Sequence, residues 1–102
     1  MQTHCPVHTT INLIDSKWKI LILRDILQGP QRFGVLKRSI TGVSSKMLSQ
    51  SLREMEKDGL INRTVFSEMP PHVEYSLSEL GNSMRPIIMA MESWGLQYLD
   101  KV

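Results

Sequence analysis

The stretch Gly42–Gly59, GVSSKMLSQSLREMEKDG, decides the fold. Ser44 is a favourable helix N-cap and Gly59 is a residue that readily ends a helix, so the stretch predicts one helix. Small or apolar residues recur along it at steps of three and four: Met47, Leu48, Ser51, Leu52 and Met55. The opposite face carries hydroxyl, amide and cationic groups: Ser45, Lys46, Ser49, Gln50, Arg53 and Lys57. That face has no carboxylate before Glu54, and it suits the phosphates and base edges of a DNA groove.

The residues before this stretch predict a second, shorter helix. Gly34–Ile40 (GVLKRSI) places three apolar side chains inward, those of Val35, Leu36 and Ile40, and two basic ones outward, those of Lys37 and Arg38. Thr41-Gly42 then forms a turn. Two helices joined by a short glycine-containing turn, here over residues 34–58, are typical of the helix-turn-helix, whose second helix enters the DNA major groove.

The residues after the helix predict a β-hairpin. Leu60–Glu68 (LINRTVFSE) is rich in β-branched and apolar residues, and Val73–Leu77 (VEYSL) alternates between apolar and polar ones. Between them lie the adjacent prolines Pro70 and Pro71, which lack N–H donors and cannot continue a strand ladder. A hairpin that follows a helix-turn-helix, here over residues 61–77, is a wing. Gln31–Phe33 also reads as a short extended segment.

Further helices flank this unit. Cys5–Ile14 is a short amphipathic helix with Pro6 in its first turn. Lys17–Gln28 is apolar on most sides, which predicts the central core helix, with Trp18 packed in the core. A long C-terminal helix begins after Ser78 and should kink or break at Pro86. The predicted fold class is mainly α with a small β-hairpin wing (α+β).

Composition and charge limit the possible functions. A chain of 102 residues, 41% hydrophobic and 22% charged, is expected to form a single domain over residues 1–102. Residues 31–63 contain seven Lys or Arg against three Asp or Glu, a local charge of +4 in a chain of net charge +2. This clustering favours a polyanionic partner. The absence of a long apolar run or secretory signal, with a single cysteine, predicts a cytoplasmic protein.

Seven short motifs together resemble the HxlR-type winged helix-turn-helix transcription regulators, which are related to the MarR group. They are Cys5-Pro6, Lys17-Trp18, Gly29-Pro30-Gln31-Arg32-Phe33, Lys46-Met47-Leu48, Asp58-Gly59-Leu60, Pro71-His72-Val73-Glu74-Tyr75 and Leu80-Gly81. The resemblance covers Cys5 to about Tyr98. Asp15-Ser16 stands where many relatives have Gly-Gly, and His72 stands where a wing arginine is frequent. A neutral histidine supplies no fixed charge for a phosphate.

The resemblance implies a homodimer that is held by the first and last helices, at about residues 5–14 and 79–100. Such a dimer binds a double-stranded operator with an inverted repeat. The last helix also carries more apolar residues than one core needs, which favours association, although it could instead fold back on its own core. The expected interface residues are Val7, Ile11, Ile14, Ile88, Met91, Trp94 and Tyr98.

The expected DNA contacts fall into two sets. Those in the groove are Ser45, Lys46, Ser49, Gln50 and Arg53, and those to the DNA backbone are Arg32, Arg38, Arg63 and, at the wing tip, His72. Gln50 can bridge an adenine edge, while Arg53 or Lys46 can contact a guanine or a phosphate. Each basic residue taken alone could be a solvated surface charge, but their clustering on one motif favours DNA.

Cys5 precedes Pro6 at a helix start, where the helix dipole and free amides stabilise a thiolate. In many of the relatives that this sequence resembles, a cysteine at this position senses oxidants, quinones or other electrophiles. With no second cysteine in the chain, the open reactions are a disulfide between two copies, a mixed disulfide with a small thiol, and alkylation. The alternative is a cysteine that only packs. His4, Cys5 and His8 are too few ligands for structural zinc, and we expect no metal and no cofactor.

The residue inventory argues against an enzyme, because the sequence contains no glycine-rich phosphate loop, nucleophile elbow or catalytic carboxylate spacing. The predicted function is a sequence-specific DNA-binding transcriptional regulator, with Cys5 as the candidate sensor of a small electrophile or oxidant. One alternative is a winged-helix module for protein–protein interaction without specific DNA binding. Another is a DNA binder without sequence preference.

Overall fold

The computed structural model describes residues 5–102, which form six helices and three short strands. The helices are α1 (Pro6–Leu13), α2 (Lys17–Ile26), α3 (Phe33–Ser39), α4 (Ser45–Lys57), α5 (Glu79–Asn82) and α6 (Arg85–Lys101). The strands are β1 (Gln31–Arg32), β2 (Ile61–Phe66) and β3 (His72–Leu77). The predicted mainly α class with a small β-hairpin wing is therefore confirmed. None of the helices in the described part of the chain combines the length and apolar character that crossing a membrane requires.

The strands form one antiparallel sheet in the order β1-β3-β2. Pairing in the hairpin runs from Ile61 opposite Leu77 to Phe66 opposite His72. The short strand β1 adds to the other edge of β3, with Gln31 opposite Tyr75. The segment just before α3 is thereby tied to the wing.

The core lies where α2, α3 and α4 pack against the sheet. Its largest fully buried side chains come from all of these elements: Ile22, Leu23, Leu36, Ile40, Leu48, Leu52, Met55, Leu60 and Ile61. Trp18 packs against this core but is only half-buried, and the ammonium of Lys17 lies 4.4 Å from the centre of its ring. The central position predicted for α2 is confirmed.

Helix α4 has the predicted ends. The hydroxyl of Ser44 accepts a hydrogen bond from the backbone N–H of Met47 at 3.0 Å, and Gly59 follows the helix with φ of 79°. Leu48, Ser51, Leu52 and Met55 are buried as predicted.

Two residues that were predicted to face inward are exposed. Met47 lies about a quarter turn from the middle of the buried stripe of α4, at its edge, where neighbouring elements do not cover it. Val35 in α3 lies about a third of a turn from the direction shared by Leu36 and Ile40, both of which are buried. An apolar residue at the margin of a helix face can therefore remain in solvent.

The C-terminal segment breaks as predicted. The Ser78 hydroxyl accepts a hydrogen bond from the N–H of Gly81 and donates to the backbone carbonyl of Gly59, so α5 is capped and held to the end of α4. Helix α5 ends at Asn82, and α6 begins at Arg85 with Pro86 in its first turn. Proline has no N–H to continue α5 but is well suited to a first helical turn.

Candidate nucleic-acid interface

The five residues predicted to enter a DNA groove lie on the outer face of α4. Ser45, Lys46, Gln50 and Arg53 are exposed, and Ser49 is half-buried. The opposite face of α4 is fixed in the core by Leu48, Leu52 and Met55, so the orientation of the polar face follows from packing. The helix therefore presents hydroxyl, amide and cationic groups to solvent.

A cleft of about 390 Å³ separates α4 from the wing. Its lining includes Arg53 from α4 and Arg63 from β2, together with Ser49, Leu52, Glu56 and Tyr75. The structure thus brings Arg53, predicted to enter the groove, to the same cleft as Arg63, predicted to contact the DNA backbone, although the two are ten positions apart in the sequence. Two guanidinium groups that border one cleft are suited to phosphate oxygens.

The basic residues between positions 31 and 63 form no ion pairs with the described part of the chain. Within residues 5–102, the ion pairs with a permanent positive charge are Lys19 with Asp15 and with Glu54, and Arg24 with Asp25. His72 Nε2 contacts Glu74 and adds an ion pair only when the histidine is protonated. None of them involves the seven basic residues between positions 31 and 63, which are Arg32, Lys37, Arg38, Lys46, Arg53, Lys57 and Arg63. All seven are exposed, so their charges are available to an external anion.

The four residues predicted to contact the DNA backbone differ in how accessible their side chains are to a phosphate. Arg32 and Arg38 are exposed at the two ends of α3, and Arg63 is exposed on β2. His72 is half-buried: its ring stacks on Phe66 with centroids 4.7 Å apart, and its Nε2 lies 3.0 Å from Glu74 Oε2. Because His72 is already paired within the wing, it is the least available of the four for a phosphate.

The sequence interpretation missed an ion pair in which a buried lysine of α2 meets a half-exposed carboxylate of α4. The Lys19 side chain is only 6% exposed, and its Nζ lies 2.8 Å from Glu54 Oε1 and 3.0 Å from Asp15 Oδ1. Burial alone would lower the pKa of Lys19, but its hydrogen bonds to Glu54 and Asp15 outweigh this effect and raise the pKa above 10.5. The same contact, together with a hydrogen bond from Gln50, lowers the pKa of Glu54 below 4.5. The available signal was a lysine four residues after Asp15, a spacing at which two side chains on a helix meet.

The apolar surface expected at a dimer interface is largely exposed. Val7 and Ile11 are exposed on α1, as are Met91, Trp94 and Tyr98 on α6. Trp94 is 67% exposed and stacks on Tyr98 with ring centroids 5.4 Å apart. Further exposed apolar side chains on α6 are Met89, Leu96 and Leu99.

Two predicted interface residues need correction. Ile14 and Ile88 are each only 7% exposed and belong to the chain's own core. Ile14 follows the end of α1, where the chain turns into the core, and Ile88 lies on the side of α6 that faces α2. These two residues can add little to an external surface.

Cys5 occupies the N-cap position of α1 and its side chain is exposed. His8 is also exposed, whereas His4 lies outside the described residues. No group of three potential His, Cys, Asp or Glu ligands that could hold a metal ion occurs within residues 5–102. Cys5 is thus placed as an accessible thiol at the start of α1.

Comparison with known proteins adds to this geometry. The sequence profile of the HxlR-like helix-turn-helix family matches residues 13–102. The chain is 41% identical over 98 residues to the uncharacterized HTH-type transcriptional regulator YdeP of Bacillus subtilis, covering 96% of this chain and 77% of that protein.

Two solved structures share the fold over nearly the whole chain. The redox regulator HypR in its reduced form superposes with a TM-score of 0.88 at 38% identity, covering 94% of this chain and 95% of HypR. The reduced form of the transcriptional regulator YodB of B. subtilis superposes with a TM-score of 0.80 at 30% identity, covering 98% and 99% of the two chains.

Proposed function

The chain belongs to the HxlR-like helix-turn-helix family of transcriptional regulators, and from this premise we propose that it binds an inverted-repeat DNA operator as a homodimer. In this proposal α4 is the recognition helix and enters the major groove, while β2 and β3 form a wing beside it. The observation that carries the proposal is the exposed set of seven basic residues between positions 31 and 63, none of them neutralised by an ion pair within residues 5–102.

The contact roles follow from exposure and chemistry. Lys46, Gln50 and Arg53 are the candidate base readers, with Ser45 and Ser49 beside them on α4. Arg32, Arg38 and Arg63 are the candidate phosphate contacts, and His72 is a weaker one because of its contacts to Glu74 and Phe66.

The homodimer is supported by the exposed apolar side chains on α1 and α6. Val7 and Ile11 on α1, and Met91, Trp94 and Tyr98 on α6, expose large apolar side chains of a kind that a soluble monomer rarely leaves uncovered in clusters. Two-fold symmetry would place two recognition helices about one turn of DNA, ~34–36 Å, apart, which requires an inverted repeat.

DNA binding is tested by a mobility-shift assay on the DNA upstream of the protein's own gene, repeated over a range of salt concentrations. If the protein contacts several phosphates, the logarithm of the DNA-binding constant should fall linearly with the logarithm of the salt concentration, with a slope of about −0.9 per contact. Binding that is insensitive to salt, or absent, would favour a module for protein–protein interaction. Equal competition by unrelated DNA would indicate a binder without sequence preference.

We further propose that Cys5 makes this binding sensitive to oxidants or electrophiles. Support comes from the exposed position of Cys5 at the start of α1, and from the similarity to HypR, which is described as a redox regulator. Diamide treatment of the wild type should change operator affinity and should leave the Cys5→Ser variant unaffected. Unchanged affinity of a protein whose Cys5 is shown by mass spectrometry to be modified would exclude this role.

A further inference from the structure

A chain of three polar side chains connects the core to the outer face of α4. The ammonium of Lys19, on α2, lies 2.8 Å from one carboxylate oxygen of Glu54. The other oxygen of Glu54 accepts a hydrogen bond from Nε2 of Gln50 at 3.2 Å. Glu54 and Gln50 are four residues apart on α4, and Gln50 is one of the candidate base readers. A buried cation is therefore linked to the reading face through one carboxylate.

The chemistry of Glu54 determines how the Gln50 amide is oriented. An ionised carboxylate only accepts hydrogen bonds, so Gln50 must direct its amino group toward Glu54. The amide carbonyl oxygen and one remaining N–H are then left for an external partner. A glutamine without such a neighbour can turn its amide over at little cost and can present either group.

From this geometry we infer that Lys19 and Glu54 are positioning residues: they make Gln50 select a base that carries an amino group in the major groove. The inference rests on the proposed contact of α4 with DNA. Adenine and cytosine carry such a group, and adenine also offers its N7 to the remaining N–H. Guanine and thymine present acceptors at the corresponding position, which the outward carbonyl oxygen of Gln50 cannot bond. Guanine N7 can still accept from the remaining N–H, so guanine gains at most one hydrogen bond where adenine gains two.

Lys19 matters because Glu54 is otherwise free to move. The Glu54 side chain is 46% exposed, so without a partner it would sample several rotamers in water. Lys19 is buried in the core and is held from its other side by Asp15 at 3.0 Å, so its ammonium is a fixed point. The lowered pKa of Glu54 agrees with this arrangement, since it keeps the carboxylate ionised and acceptor-only at neutral pH.

The test measures base preference and not affinity alone. Operators that carry each of the four bases at each half-site position are bound to the wild type and to Gln50→Ala, which identifies the position that Gln50 reads. At that position the wild type should prefer adenine over guanine by about fivefold or more. Glu54→Ala and Lys19→Met should each reduce this ratio to within about twofold, because the freed amide can turn over and place its amino group opposite guanine O6.

Two controls separate positioning from a general structural effect. In a Gln50→Ala background, Glu54→Ala and Lys19→Met should cause no further change in the adenine-to-guanine ratio. Asp58→Ala removes an exposed carboxylate at the end of the same helix that lies outside the cleft lining and has no hydrogen bond to Gln50, and it should leave the ratio at the wild-type value. Lys19→Met should fold, because Asp15 and Glu54 are both solvent-accessible and can be hydrated; thermal unfolding checks this.

The outcomes are distinguishable. If the wild type shows no sequence-specific DNA binding, the proposed function itself fails. The positioning inference alone is overturned if specific binding is present but folded Glu54→Ala and Lys19→Met keep the wild-type ratio. It is also overturned if Gln50→Ala alters no base preference, or if the two variants still change the ratio when Gln50 is absent.

Discussion

At the scale of single residues, Gly81 shows how closely two backbone segments approach each other. It is buried in α5, and a Cβ atom added to it would collide with the backbone carbonyl oxygen of Leu60. A backbone atom cannot move aside as a flexible side chain can. The glycine of the Leu80-Gly81 motif is therefore explained by the lack of room for a side chain next to the Leu60 carbonyl.

The first prediction follows from this contact. Gly81→Ala should lower the free energy of unfolding by about 1–3 kcal/mol, because α5 must shift away from Leu60. The matched control is Gly95→Ala in α6, where an added Cβ meets nothing within 4 Å. That control should be neutral or should stabilise the helix by up to about 1 kcal/mol. Urea unfolding at one protein concentration compares them, and equal stability of Gly81→Ala and the wild type would contradict the prediction.

The second prediction concerns the pH dependence of the Lys19–Glu54 pair. The pKa of Glu54 is lowered from 4.5 in the folded chain, so its contribution to stability is present above pH 4.5 and is lost as the pH falls below it. The pKa of Lys19 is raised from 10.5, so its contribution is present below pH 10.5 and is lost at higher pH.

Glu54→Gln lacks the acid-sensitive part of this stabilisation. The wild type should therefore exceed Glu54→Gln in urea midpoint at neutral pH, and the difference should shrink as the pH falls below 4.5. The measurement is a series of urea titrations of both proteins between about pH 3 and pH 7. A difference that stays constant, or grows, toward acid would show that the contact does not stabilise the fold.

At the scale of secondary-structure elements, the relation between α4 and the wing sets the third prediction. Arg53 and Arg63 border one cleft, and neither is in an ion pair within residues 5–102. If Arg63 contacts a phosphate, Arg63→Ala should weaken binding to all DNA sequences by a similar factor. It should also reduce the salt slope by about one unit.

The matched control for Arg63→Ala is Lys101→Ala, which removes a basic residue at the end of α6, outside the cluster. It should leave both affinity and salt slope unchanged. The two variants are compared by fluorescence anisotropy with a labelled operator across a salt series. A slope for Arg63→Ala that equals the wild-type value would remove this residue from the set of phosphate contacts.

At the scale of the whole molecule, the exposed apolar side chains of α1 and α6 determine the fourth prediction. Large aromatic residues commonly dominate the energetics of such interfaces. Trp94→Glu should therefore raise the dimer dissociation constant by about tenfold or more, and operator affinity should fall with it. Sedimentation velocity over a range of concentrations measures the change in assembly.

The control for Trp94→Glu is Val65→Glu, which places the same charge on an exposed apolar residue of the wing. Its assembly should match that of the wild type. Circular dichroism of both variants verifies that they are folded. A Trp94→Glu protein that remains as fully dimeric as the wild type would place the interface elsewhere.

The sequence by itself determined the local elements and the distribution of charge. Ser44, Gly59 and Pro86 set the ends of helices because caps, left-handed glycines and missing N–H groups act within one or two turns. The buried stripe of α4 could be predicted for the same reason, since side chains three and four residues apart share a face whatever lies against it. The exposed cationic face on the other side of that helix follows from the same periodicity.

Only the tertiary structure decided which elements cover each other. A periodic pattern identifies an apolar face but not the width of the surface that a neighbour buries, so Met47 is exposed, whereas Ile14 and Ile88 are in the core. The approach of Arg63 to Arg53 and the contact of Lys19 with Glu54 join residues from different elements. Such contacts depend on how α2, α4 and the wing pack in space, and local spacing in the sequence carries no record of that packing.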